Sequence, residues 1–122
     1  MLILARYVAT HELGPLSRYV TLDDVLEGAR KVQKGLAQET KPPVKGFRFF
    51  KVRIGARNSG RMIVFLATEN QKVVPVLIRL KKDKIFGMNM AMNNPRVVQQ
   101  MKKNMDTILD DIQNKKYEEF PL

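Results

Sequence analysis

The chain has 122 residues, no cysteine, a single histidine and a net charge of +10. That length gives one domain, residues 1–122, able to bury its own core. The missing thiols exclude disulfides and thiolate metal sites and fit a reducing, cytoplasmic compartment, and no apolar run approaches the ~20 residues of a membrane span, so no membrane partner is expected.

The first apolar run, Met1 to Ala5, is interrupted at once by Arg6. It is too short for a secretory leader and reads as a strand over Leu2–Val8. Gly14-Pro15 breaks the chain. Thr21 is placed to cap a helix, with Asp23 and Asp24 in its first turn. Leu22, Val25, Leu26, Ala29, Val32 and Leu36 then recur at helical spacing, so the helix is expected to run to about residue 38, before Pro42-Pro43 forbids continuation.

From Gly46 the period changes to two. Val52 and Ile54 point one way and Lys51 and Arg53 the other. Gly55 to Gly60 reads as a hairpin loop, Arg61–Ala67 as a second strand, Thr68 to Gln71 as a turn and Lys72–Leu80 as a third strand. Pro75 within it demands either an unpaired edge or a bulge. Met88, Met90 and Met92 alternate as core or edge filler. Asn94-Pro95 starts a helix, residues 94–117, whose stripe is Val97, Val98, Met101, Met105, Ile108, Leu109 and Ile112. Lys115 and Lys116 would suit its last turn, and residues 118–122 would be a tail. The expected fold is α+β: a small, mainly antiparallel sheet (N-terminal strand plus three-strand meander) packed with an N-terminal helix and a long C-terminal helix.

Charge is the most informative functional signal. Between Lys45 and Lys84 stand eleven basic residues against two acids, Glu69 and Asp83, a net +9. Such a local field attracts polyanions, RNA above all; a basic surface kept for solubility is the plainer alternative. His11 is an acid/base candidate by residue type alone, and a structural histidine is the simpler reading. Asp106, Asp110 and Asp111 share a helix on which a carboxylate pair could hold magnesium, yet solvated helix acids account for them. No nucleotide-binding loop or nucleophile elbow is present, and no metal or cofactor is expected. What remains is cations on adjacent strands. Lys51 and Arg53 share one face, and Arg61 faces them across the hairpin. Such a cluster can hold phosphates. It can also cleave RNA through the 2′-hydroxyl, with a lysine among arginines as base and the arginines stabilising charge on phosphorus. Composition alone favours binding over cleavage.

Phe50-Lys51-Val52-Arg53-Ile54, a Gly/Ser turn, then Gly60-Arg61-Met62-Ile63-Val64-Phe65 resembles the RelE/HigB/ParE superfamily of bacterial toxins over about residues 46 to 90. The resemblance implies a ribosome-dependent mRNA endonuclease without a metal, whose partners are mRNA, the ribosome and a cognate antitoxin protein, with a homodimer as a further possibility. It implies catalytic roles for Lys51, Arg53, Arg61 and Lys82 (or Lys81), with Arg48, Arg57, Arg79, Lys81, Lys84 and Phe86 contacting RNA. Phe86 falls near where relatives often carry a tyrosine; it can stack on a base but offers no hydroxyl. Many relatives have two helices before the meander where one is evident here, and often end soon after the last strand, where this chain continues into a long helix. A non-catalytic nucleic-acid binder on the same fold and a ParE-like topoisomerase inhibitor are the alternatives.

Overall fold

The computed structural model describes residues 1–67, 71–86 and 90–122. The expected turn at Thr68-Glu69-Asn70, and Met88 in the methionine alternation, lie outside them. A six-stranded sheet is built from β1 (Leu2–Ala5), β2 (Gln38–Thr40), β3 (Arg48–Ile54), β4 (Gly60–Ala67), β5 (Lys72–Leu80) and β6 (Tyr117–Phe120), in the order β2-β3-β4-β5-β1-β6. All neighbours are antiparallel except β1 and β5, which run parallel. The helices are α1 (Arg6–Val8), α2 (Leu22–Gln33) and α3 (Pro95–Gln113). This is the expected α+β arrangement, with two strands more than expected.

The meander follows from alternation in β3 and from continuous apolar runs in β4 and β5, which lie inside the sheet and are covered on both faces. Pro75 marks a bulge. Ile63 pairs with Leu77 but Val64 pairs with Pro75, so Val76 is the extra residue. Its carbonyl accepts from the buried Asn104 side chain of α3 at 2.8 Å.

α2 begins with a reciprocal capping box. Thr21 Oγ1 accepts from the Asp24 amide and Asp24 Oδ2 accepts from the Thr21 amide. The helix buries Val25, Ala29 and Val32 against the sheet face of Val52, Ile54 and Met62. Asn94 caps α3 through the Arg96 amide, with Pro95 at the first position. Val97, Met101, Met105 and Ile108 are buried, whereas Leu109 is exposed.

Several boundaries differ from expectation. The first strand ends at Ala5, and Arg6 to Leu16 forms α1, then a π-helical turn (Ala9–Leu13) and a 3-10 turn (Gly14–Leu16). A second helical segment therefore precedes the meander. α2 stops at Gln33, Gly35 turns the chain with φ +75°, Leu36 is 70% exposed and Gln38 enters β2. α3 stops at Gln113 rather than 117, because Lys115 adopts φ +58° and redirects the chain. Lys115 and Lys116 thus lie beyond the helix, and the expected tail is β6. Met90 is buried and Met92 half-buried, without forming a strand. Asp106 and Asp110 are exposed, but Asp111 is buried and accepts from the Tyr7 amide at 2.8 Å, so it is not a solvated helix acid.

Candidate nucleic-acid interface

The register of β3, β4 and β5 decides which cations meet. Arg53 lies directly opposite Arg61, and Arg61 directly opposite Arg79. Direct antiparallel partners share a face, so three arginines form one cross-strand row, with Lys51 two residues along β3 on the same face. Like charges placed opposite one another are destabilising. The row persists because its members are anchored differently.

Arg79 leaves the group. Its Nη1 is paired with Oε1 of the buried Glu12, and its guanidinium lies 4.7 Å over the Phe86 ring. Arg61 is only 7% exposed, and its Nη1 donates to the carbonyls of Asn58 (2.6 Å) and Gly60 (3.0 Å) at the hairpin turn. Arg53 is exposed. Its carbonyl accepts from Lys31 of α2 at 3.4 Å.

Lys51, Arg53 and Arg61 come together along an open groove of about 490 Å³, with Lys31, Gln38 and Asn58 among the other lining residues. The short β2 covers β3 only from Phe49 to Lys51, which leaves the Val52–Arg53 edge open to the groove. Partial burial, and then the charges of Arg61 and Arg53, hold the Lys51 ammonium below its ordinary pKa of 10.5. Burial, and then Arg53, also push Arg61 down, although a guanidinium stays charged at any physiological pH. The arrangement can bind a phosphate diester and supply one amine that gives up its proton more readily than a solvated lysine.

The remaining residues singled out from the sequence lie elsewhere. Arg48 has the opposite strand parity, forms a bidentate pair with Glu39 and rests over Phe50. Its charge is matched by an acid on β2, outside the groove. Lys81, Lys82 and Arg57 line a second depression, with Tyr19, Ser59 and Leu80. Lys82 is therefore separated by the hairpin turn from the three residues it was expected to join. Lys84 is exposed on the turn after β5, and Phe86 is half-buried beneath Arg79. His11 is exposed and stacks on Tyr7. No group of three histidines or acids suited to a metal occurs among the described residues, and no helix there is long and apolar enough to cross a membrane.

Sequence reasoning missed Glu12 and Tyr19. Glu12 accepts from the Ile78 amide at 2.7 Å, from Arg79 and from Asn104 Nδ2 at 3.2 Å. Burial pushes its carboxyl up, and Arg79 with the hydrogen bonds pulls against that shift. A lone glutamate in a mixed segment carries no signal of a partner 67 residues away. Tyr19, 53% exposed between a broken helical run and a cap, is equally unmarked. Comparison with known protein families, with curated proteins and with solved structures finds no match for this chain.

Proposed function

We propose that the chain binds RNA along the Lys51–Arg53–Arg61 groove and cleaves it without a metal, as a ribosome-dependent mRNA endonuclease of the RelE type. A cognate antitoxin protein and a cytoplasmic setting belong to the same proposal. The observation that carries it is Lys51, flanked by two arginines in an open groove and held below its ordinary pKa. In this reading neutral Lys51 takes the proton from a ribose 2′-hydroxyl as the oxygen attacks phosphorus; the P–O5′ bond breaks, leaving a 2′,3′-cyclic phosphate, and the departing 5′-oxygen takes a proton from water to become a 5′-hydroxyl. Arg53 and Arg61 bear the charge that develops on the phosphoryl oxygens. The two effects are worth roughly 10²–10⁴-fold and 10²–10³-fold in rate respectively.

The test is a translating extract in which new mRNA 5′ ends are mapped with chelator present. Wild type should cut, Lys51→Ala should lose at least a hundredfold in rate, and Arg53→Ala should lose about tenfold or more. Intact mRNA with uninterrupted translation would overturn the enzyme reading.

One observation favours a second reading, a non-catalytic RNA binder. Phe86 has no hydroxyl, and Arg79 covers its ring, so it offers no group to orient a scissile nucleotide. That reading expects saturable, salt-dependent RNA binding with no new ends.

A further inference from the structure

The second depression, about 360 Å³ in volume, sits across the hairpin turn from the groove. Its floor is apolar, from Leu80 and the exposed Tyr19 ring, and its rim is cationic, from Arg57, Lys81 and Lys82. Lys82 Nζ lies 5.2 Å from the Tyr19 ring centroid, so the ring is already set among cations. Among the described residues no acid lines the site, and the nearby Asp83 carboxylate is turned into its own loop, accepting from the Ile85 and Phe86 amides. An aromatic floor with a positive rim is the chemistry that stacks a base and holds its phosphate.

The two sites share a wall. Asn58 lines the groove, while Arg57 and Ser59 line the depression. The wall is fixed from both sides: Arg61 grips the Asn58 carbonyl, and the Lys81 amide donates to the Ser59 carbonyl at 2.7 Å. Arg57 and Asn58 are both held at positive φ, 56° and 55°, a conformation that asparagine tolerates in turns and arginine rarely adopts.

We infer that this depression is a base-stacking subsite in which Tyr19 receives a nucleobase of single-stranded RNA whose neighbouring phosphates cross the Asn58 turn into the Lys51–Arg53–Arg61 groove. The inference rests on the proposed RNA-binding reading and extends it from a phosphate groove to a strand path with a stacked nucleotide.

The test uses the full chain and a fluorescently labelled single-stranded oligouridylate of about a dozen nucleotides, with affinity measured by anisotropy across a salt series. Base–aromatic stacking predicts that Tyr19→Ala weakens binding about five- to one-hundred-fold, whereas Tyr19→Phe stays within about twofold. Stacking carries no charge, so Tyr19→Ala should leave the slope of log K against log salt unchanged. Lys82→Gln should flatten that slope by about 0.7. Tyr19 is exposed, so neither substitution threatens the fold, and the urea midpoint checks this. If wild type binds and Tyr19→Ala binds equally well, the subsite is overturned and the groove reading stands. If wild type fails to bind at all, the RNA-binding reading falls and takes the subsite with it.

Discussion

At the scale of single residues, burial moves Lys51 and Glu12 in opposite directions for one reason, because it disfavours the charged form of each. Lys51 is lowered by partial burial and by Arg61 and Arg53. A titration of its ε-methylene resonance should therefore give a midpoint below 10.5, and Arg53→Ala should move that midpoint upward by removing one cation. An unchanged midpoint in Arg53→Ala would separate Lys51 from Arg53 electrostatically, and a wild-type midpoint at or above 10.5 would remove the basis for its role as a base. Glu12 is raised because burial outweighs its pairing with Arg79. A carboxyl whose folded pKa exceeds its unfolded value binds more protons when folded. Its contribution to stability is then fully present below about 4.5 and is lost as pH rises through the folded pKa. Relative to Glu12→Gln, wild type should gain urea resistance as pH falls from neutrality toward 4.5. Glu12→Ala at pH 7 should cost about 3–5 kcal/mol, because it removes the carboxylate paired with Arg79, leaves the Ile78 amide without its acceptor and leaves Asn104 Nδ2 with the Val76 carbonyl alone. The direction of the Lys51 shift was legible from its place among arginines, but its burial and the Glu12 shift were not. Lys51 was legible as a candidate, since period two and a short hairpin place it near Arg53 and Arg61. Glu12 was not, because its environment is made by α3 and β5, distant in sequence.

At the scale of elements, α2 and the sheet approach most closely at Gly28. A Cβ there would stand 2.5 Å from Ile54 Cγ2 and 2.9 Å from Met62 Cε. The methionine end can swing aside, but the Ile54 methyl is fixed by its strand. Gly28→Ala gains about 1 kcal/mol of helix propensity and loses about 1–3 kcal/mol to overpacking. The expected outcome is a net loss of about 1 kcal/mol in chemical denaturation; a gain would mean that the helix can lift off β3. The elements legible in the sequence were those with an apolar signal, namely β1, β3, β4, β5, α2 and α3, with β1 read three residues too long. The illegible ones were short and polar. Gln38–Thr40 and Tyr117–Phe120 become strands only because β3 and β1 present open edges to them. The helical turns of residues 6–16 start at Ala5, which offers no capping side chain, so Tyr7 and Val8 read as a continuation of the strand. Lys82 was misplaced relative to Lys51 for a related reason: strand order was legible, but the side of the hairpin turn on which the post-β5 loop falls was not. Tyr19 acquires its setting from that same loop.

At the scale of the whole molecule, the two ends of the chain are sewn together around β1. Its four residues are all buried; β5 lies parallel on one side and β6 antiparallel on the other. The Arg6 amide donates to the Lys116 carbonyl, and the Tyr7 amide to Asp111. Both sheet edges, β2 and β6, are short, and the β6 edge carries Glu118 and Glu119, with Glu119 reaching Lys72 at 3.8 Å. Short, charged edges resist strand addition by another chain. Removing residues 117–122 would replace that edge with β1, an apolar strand whose outer hydrogen-bonding groups lose their partners. The truncated chain should therefore self-associate at concentrations where the intact chain keeps its size, and should unfold at lower urea. Sedimentation velocity with a parallel denaturation series checks both. The variant Glu118→Lys/Glu119→Lys keeps the strand and its charge while reversing the sign, and loses only the exposed contact with Lys72. It should hold the intact chain's size and nearly its stability. If that variant also aggregates, the sign of the charge matters more than coverage of β1. If the truncated chain stays unassociated and stable, β6 is an ornament on the edge rather than its guard.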